Sequence, residues 1–248
     1  LSARLGRHAL LLNATALLAL DRLDEGLVAD HFESFVRTQD YPVGVATVVG
    51  KDSWFVYALD PAPHARTGKR SSFQEARRKA RPPQPRRGGY TGSMIRVLDG
   101  LRHFFPENPT FRLTTDGHPA YARALQPNRF HGRFRHDAHP NPKRGPKGSP
   151  RSRTAVVRDR AMFPNDVLHG LLRHSVAHHR RETIAFGRRT NAVLERLYLA
   201  SAWRNFVKGV SERKPDRTTP AMRLGLTTEP WSWARLLARR LFPGRLRL

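Results

Sequence analysis

The sequence predicts an α/β chain: a mixed five-stranded sheet flanked by helices, with a basic insertion after the third strand. Three observations point there. Three β-favouring runs follow one another between residues 25 and 60. A helix-period stretch and a short alternating strand come next, over 90–116. Two helix-period stretches then occupy most of 164–209, and residues 129–137 supply a fifth strand before them. Strands in succession form an antiparallel meander, whereas a strand reached through a helix can return in parallel.

The opening run "HALLLNATALLAL" (8–20) reads as a helix, since Asn13 and Thr15 interrupt it and "DRLDE" follows at once. It fits neither a signal-peptide core nor a span of about 20 apolar residues. "EGLVADHFESFV" (25–36), "YPVGVATVVG" (41–50) and "SWFVYALD" (53–60) are rich in Val, Phe and Tyr and bounded by Gly, Pro and the turn "GKDS"; they predict strands. Residues 61–90 hold nine Lys and Arg, one acid and several prolines. That segment has nothing to bury and reads as a flexible basic loop with at most one short helix.

"YTGSMIRVLDGLRHFFP" (90–106) sets Ile95, Leu98, Leu101 and Phe105 at helical spacing, with Thr91 or Ser93 as N-cap and Pro106 as stop. "TFRLTTD" (110–116) predicts a strand, "HPAYARALQ" a short helix, and "RFHGRFRHD" (129–137) another strand. The Pro, Gly and Arg of 138–154 predict a loop. The last two helices are "PNDVLHGLLRHSVAHHRR" (164–181) and "RTNAVLERLYLASAWRNFVKG" (189–209).

Composition narrows the function. A chain of 248 residues with 45 Lys and Arg against 20 Asp and Glu carries a formal charge of +25, more than solubility requires, and this points to a polyanionic partner, nucleic acid before membrane. Zero cysteines exclude disulfide scaffolds and Cys-based zinc sites and favour an intracellular setting. The acids stand out against this background. Asp30 lies on the first predicted strand and Asp116 just past the fourth. Paired carboxylates suit hard cations, and two such ions about 3.5–4 Å apart stabilise both the attacking and the leaving oxygen of a phosphodiester.

At the level of topology the element order resembles the ribonuclease H-like fold, in which one acid sits on the first strand, a second past the fourth and a third on a later helix. The stretches "ADHFESFV", "LTTDGHPAY" and "HRRETIAFGRRTNAVLERLYLASAWRNFVKG" resemble the bacterial insertion-sequence DDE transposases, over about residues 27–230. The basic run followed by a helix ending in Trp and Asn is the most specific of the three. The resemblance implies a catalytic domain over 25–210 with the insertion 61–90, a helical segment 1–24 left from a DNA-binding region, and a basic tail over 211–248. It implies two Mg²⁺ or Mn²⁺ ions held by Asp30, Asp116 and a third acid. That acid is Asp166, with Arg173 seven residues on, or its competitor Glu182, with Arg189 seven on.

The same resemblance implies that Arg173, Arg180, Arg181, Arg188 and Arg189 contact DNA, that the partners are transposon ends and target DNA, and that the chain works as a homodimer or larger assembly, off the membrane, in the bacterial cytoplasm at the nucleoid. Asp in place of the usual Glu at the third position departs from the family pattern. The chain opens on Leu1 and is read as a fragment of a longer frame; the DNA-reading segment usual in the family is missing from it, a second departure from the family pattern. Two other readings stay open: an inactive DNA-binding remnant of a truncated transposase, and another ribonuclease H-like nuclease. Plain structural roles also fit several residues. Asp116 before Gly117 suits a turn or cap, Glu33 points to the opposite strand face from Asp30, and His174, His178 and His179 suit a solvated helix face.

Overall fold

The computed structural model describes residues 1–239 apart from 67, 81, 83–87, 106–109, 144, 147, 181, 182 and 212–215. Helix α1 (Ser2–Leu18) precedes a meander of β1 (Leu27–Val36), β2 (Thr38–Gly50) and β3 (Val56–Pro63). Helices α2 (Ser72–Lys79) and α3 (Gly89–Phe104) lead to β4 (Phe111–Thr115), α4 (Pro119–Ala124) and β5 (Phe134–Ala138). Then come α5 (Arg153–Ser175), α6 (Thr190–Phe206), α7 (Pro220–Arg223) and α8 (Trp233–Ala238). The sheet order is β3-β2-β1-β4-β5, antiparallel across the meander and parallel from β1 to β4 to β5. The predicted α/β class with a mixed five-stranded sheet and flanking helices is what the chain adopts. None of the described helices is long and apolar enough to cross a membrane.

Strand alternation sorts the side chains onto two faces. Leu27, Ala29, Ala46 and Val48 pack with Leu12 of α1, Met94, Leu98 and Leu101 of α3 and Tyr121 of α4. Phe32, Val43, Val45 and Val49 pack with Leu168 and Leu172 of α5 and Val193 and Leu197 of α6. Asp30 and Thr47 are cross-strand partners and belong to the second face, beneath α5. Helix α6 reaches both clusters, because its last turn places Ala202 and Phe206 in the first.

Helix α1 lies against α6 through Gly6, where an added Cβ would fall 2.5 Å from the Glu195 Cα; any side chain there would push the helices apart. The stretch read as a basic tail also joins the core in its described part. Trp231 stacks on Phe206 at 4.9 Å, its backbone N–H donates to the Phe206 carbonyl at 2.8 Å, and Leu236 is fully buried.

Several element boundaries differ from expectation. β3 begins at Val56, because Trp54 takes a left-handed backbone (φ 64°) and prolongs the turn, and it continues through Pro61 and Pro63, which an edge strand tolerates. Part of the predicted insertion is therefore strand. Within the rest of it, α2 is fixed by a Ser71–Gln74 capping box, and Arg66 and Arg77 bind the buried Asp40 carboxylate at 3.1 and 2.9 Å. Burial pushes the Asp40 pKa up, but the two guanidinium groups outweigh it and hold the carboxyl below its ordinary value.

The fifth strand is shorter than 129–137: residues 128–130 form a 3₁₀ turn that buries Phe130, and Gly132 (φ 70°) turns the chain into β5. The N-cap of α3 is Gly88, not Thr91 or Ser93. The largest correction concerns α5. The sequence places Pro164 in its first turn, where proline is at home. The helix instead starts at the Ser152 cap, whose hydroxyl accepts from the Ala155 N–H at 3.2 Å, and runs through Pro164. It ends at Ser175, so His178 and His179 lie on a separate 3₁₀ turn and not on a shared helix face with His174.

The exposed backbone of the β3 edge is capped by side chains. Asn205 of α6 accepts from the Val56 N–H at 2.8 Å and donates to the Val56 carbonyl at 3.0 Å, and it donates to Asn13 Oδ1 at 2.9 Å. Asn13 in turn donates to the Val56 and Tyr57 carbonyls. Asn205 thus mimics one residue of a further strand. Asn205→Ala leaves the buried Val56 N–H unsatisfied, and urea unfolding should show a loss of about 2–4 kcal/mol; a loss below about 0.5 kcal/mol would show that the edge is not held by this residue.

Candidate active site

The parallel pairing of β1 with β4 places Leu27 against Leu113, Val28 against Thr114 and Ala29 against Thr115. One residue further along each chain are Asp30 and Asp116. Gly117 (φ 77°) turns the chain sharply after Asp116, with Pro140 packed against it, so β4 stops where the two acids meet. Register alone brings these acids side by side.

Asp30 is the more enclosed, with a side chain 19% exposed. Its Oδ1 accepts from the His31 N–H at 2.7 Å and the Tyr121 hydroxyl at 3.2 Å. Its Oδ2 accepts no hydrogen bond among the described residues and faces His169 Nδ1 at 3.8 Å. Burial, then the negative charge of Asp116, raise the Asp30 pKa to about 7; the two hydrogen bonds and the Arg158 charge oppose the rise. Asp116 is half-buried; its Oδ1 accepts from the His118 N–H at 3.0 Å and its Oδ2 from Asn141 at 3.2 Å.

Above the pair, α5 presents Asn165 and His169, one helical turn apart on a shared face. Asn165, fully buried, donates to the Val28 carbonyl at 2.9 Å and the Thr47 carbonyl at 3.3 Å. The Thr47 hydroxyl lies 2.8 Å from Asn165 Oδ1, 2.8 Å from His169 Nε2 and 3.0 Å from the Asp30 carbonyl. Burial, then the charges of Arg173 and Arg158, lower the His169 pKa to about 3 and keep the ring neutral.

Asp166 points elsewhere: its carboxylate is bound by Arg158, two turns back on α5, and it sits in the interior of the helix rather than at its opening. The fold therefore brings Asp30 and Asp116 together and leaves Asp166 in an ion pair to one side. Glu182 and Arg181 lie outside the described residues.

On the opposite sheet face, Glu33 bonds the Tyr90 hydroxyl and lies 3.4 Å from His64. His31 is stacked on Tyr90 at 4.1 Å and is within hydrogen-bond distance of Tyr121 and Ser93, at 2.9 and 2.8 Å. Burial foremost lowers its pKa to about 3. His31 and Tyr121 were not singled out from the sequence; the signal was His next to a candidate acid on a strand.

Arg173 reaches back to the carbonyls of His179 and Glu33 at 3.0 and 2.9 Å and covers the Phe32 ring, tying α5 to β1. Arg180, Arg188 and Arg189 are exposed. The segment of Arg188 is moored at the far end of β1, where Gly187 bridges Val36 and the Arg37 side chain donates to the Arg188 carbonyl at 3.1 Å.

Among the described residues no three or more His, Cys, Asp or Glu side chains are gathered as a ready metal cage. The chemistry of the donors nonetheless fits a hard cation: two adjacent carboxylates, one with an unpartnered oxygen, destabilised by each other's charge. No family model matches the chain, and no curated protein or solved structure matches it either.

The raised Asp30 pKa has a signed consequence. The unfolded chain ionises this carboxyl near 3.8 and the folded one near 7, so the fold binds the extra proton between those values and loses stability as pH rises through that window. Asp30→Asn should be as stable as the parent at pH 4. At pH 8 without divalent ions it should be more stable, by up to about 4 kcal/mol at 1.36 kcal/mol per pK unit. Urea unfolding at both pH values checks this, and an equal difference at each would show that Asp30 ionises normally in the fold.

Proposed function

We propose that the chain is the catalytic domain of a DDE-type transposase with a ribonuclease H-like fold, cutting DNA strands at transposon ends and joining them to target DNA. One observation supports this above the others: Asp30 on β1 and Asp116 just past β4, remote in sequence, stand side by side at the centre of a sheet ordered β3-β2-β1-β4-β5. Strand order and acid placement are together those that the reading requires.

Asp30 and Asp116 would hold the divalent cations, Mg²⁺ or Mn²⁺. Bound there, such ions supply Lewis acidity at the phosphodiester and lower the pKa of an attacking oxygen. The protein's own residues do the rest. Tyr121 and the His31 N–H orient Asp30 through Oδ1 and leave Oδ2 directed into the site. Asn141 and the His118 N–H fix Asp116.

Arg180, Arg188 and Arg189 are exposed, Arg188 in the segment moored at the far end of β1, and would supply sequence-independent phosphate contacts. From Asp30 to Val36 the strand rises about 20 Å, about six base-pair steps of a duplex. Cleavage and joining of two ends requires both to be held at once, which favours a dimer or larger assembly. A second reading, an inactive DNA-binding remnant, is favoured by the Arg158–Asp166 ion pair, which withholds that acid from the carboxylate pair.

The deciding experiment is Mg²⁺- or Mn²⁺-dependent cleavage of duplex oligonucleotides carrying the repeats that flank the gene. Asp30→Ala and Asp116→Ala should each reduce cleavage by at least about 100-fold, in line with loss of a metal-supported transition state, while DNA binding is retained. Undiminished cleavage in either variant removes the proposed site. DNA binding without any cleavage by the parent chain would favour the remnant.

A further inference from the structure

We propose that Arg204, Arg223 and Trp54 form an anion site that takes a phosphate of a nucleic-acid strand, at the opposite end of β1 from Arg188. The ring centre of Trp54, in the turn between β2 and β3, lies 5.7 Å from the Arg204 guanidinium carbon and 5.3 Å from that of Arg223. Phe163 of α5 meets the same ring edge to face at 5.5 Å. The hairpin turn, α5, α6 and α7 thus converge on one indole. The proposal rests on the reading above only for the identity of the strand; the site itself does not involve the acid pair.

Unbalanced charge is what points to an anion. Arg204 is 3% exposed. Among the described residues its one hydrogen-bond acceptor is the Gly209 carbonyl, 3.3 Å from Nη1, and no carboxylate forms an ion pair with it. The charge beside it is a like one: burial, then the charge of Arg223, lower the Arg204 pKa to about 10. A buried guanidinium is unfavourable unless a counter-charge and acceptors meet its N–H groups. Arg223, at the mouth, has a side chain 32% exposed; it donates to the Asp52 carbonyl at 3.0 Å and lies 4.0 Å from Asp216. One loose carboxylate contact therefore stands against two cations. Guanidinium forks match the oxygens of a phosphate, which would supply both the missing charge and the missing acceptors. Trp54 keeps a left-handed backbone (φ 64°), which a bulky residue adopts only under strain, and that conformation sets its ring within reach of both arginines.

Position favours a strand over a free phosphate. Gly50, where the turn begins, pairs with Leu27 at the start of β1, three residues and so about 10 Å from Asp30. That is about three nucleotide steps along one strand. Phe163, 48% exposed, stands two residues before Asn165, which bonds Thr47, the cross-strand partner of Asp30. A strand lying along β1 with one phosphate at the acid pair has another at this turn.

The test uses the full chain without divalent ions and follows the Trp54 indole N–H resonance, assigned with Trp54→Phe, at constant ionic strength. Inorganic phosphate should shift it saturably, a short single-stranded oligonucleotide should do so at lower concentration, and chloride should not. Arg204→Met and Arg223→Gln should each abolish the phosphate shift and lower the slope of log K against log salt for the oligonucleotide by about 0.7, the share of one phosphate. Arg223→Gln carries the test if the methionine variant does not fold. Asp30→Ala should leave every one of these results unchanged, which separates failure of this site from failure of the acid pair. A shift that chloride also produces, no shift with phosphate, or a phosphate shift intact in Arg223→Gln overturns the site. A phosphate shift lost in the variants with an unchanged oligonucleotide slope overturns the strand as the source of the anion.

Discussion

The structure is organised around one electrostatic constraint: two carboxylates held next to each other at the centre of a sheet. Parallel register fixes Asp30 and Asp116 as neighbours, and burial under α5 keeps water from screening them well. The Asp30 carboxyl responds by holding its proton to about pH 7. A backbone N–H and a tyrosine hydroxyl offset part of that cost, and Arg158 supplies a positive charge nearby. A site tuned only for stability would have an apolar residue at position 30, as at Val28 and Phe32 on the same face.

Much of the remaining polar architecture serves to keep this centre dry and rigid. Thr47, Asn165 and His169 form a closed set of hydrogen bonds between β1, β2 and α5, so the helix cannot slide along the sheet without breaking a buried contact. On the opposite face His31 is clamped between Tyr121 and Ser93 and stacked on Tyr90. At the sheet edge, Asn205 and Asn13 complete β3. The insertion is anchored in the same manner: two of its arginines converge on Asp40, whose side chain is 2% exposed. Part of the excess positive charge is thus structural, and only the remainder faces outward.

Legibility in the sequence followed the range of the forces involved. The strand runs of β1 and β2, the α3 helix and the strand–turn–helix around Asp116 are set by local propensity and period, and they could be read directly. The pairing of Asp30 with Asp116 was legible only through the resemblance to the ribonuclease H-like fold, since propensity and period do not say which strands become neighbours. The start of α5 was not legible, because Pro164 looked like a first turn and only the burial of Ala155, Met162 and Pro164 itself explains a helix that continues through it. That single boundary governed the third site residue. With the helix opened at Pro164, Asp166 looked like a first-turn acid; with the helix begun at Ser152, its phase is set by Asn165 and Leu168, and Asp166 faces an arginine. His169 gave no distinguishing signal, since a histidine amid apolar helix positions reads as packing.

Helix phase also shapes the acidic centre of a chain that carries a formal charge of +25. A third carboxylate beside Asp30 would add repulsion to a pair already destabilised by its own charge, and Arg158 is close enough to Asp30 to neutralise part of it. Turning Asp166 onto Arg158 settles both problems at once: the arginine's charge is balanced away from the pair, and the position over Asp30 is left to a neutral ring. The centre then holds two negative charges at most. Exposed arginines, Arg188 among them, stand past the far end of β1. Acidic centre and exposed arginines are thus kept apart, with the sheet fixing the distance between them.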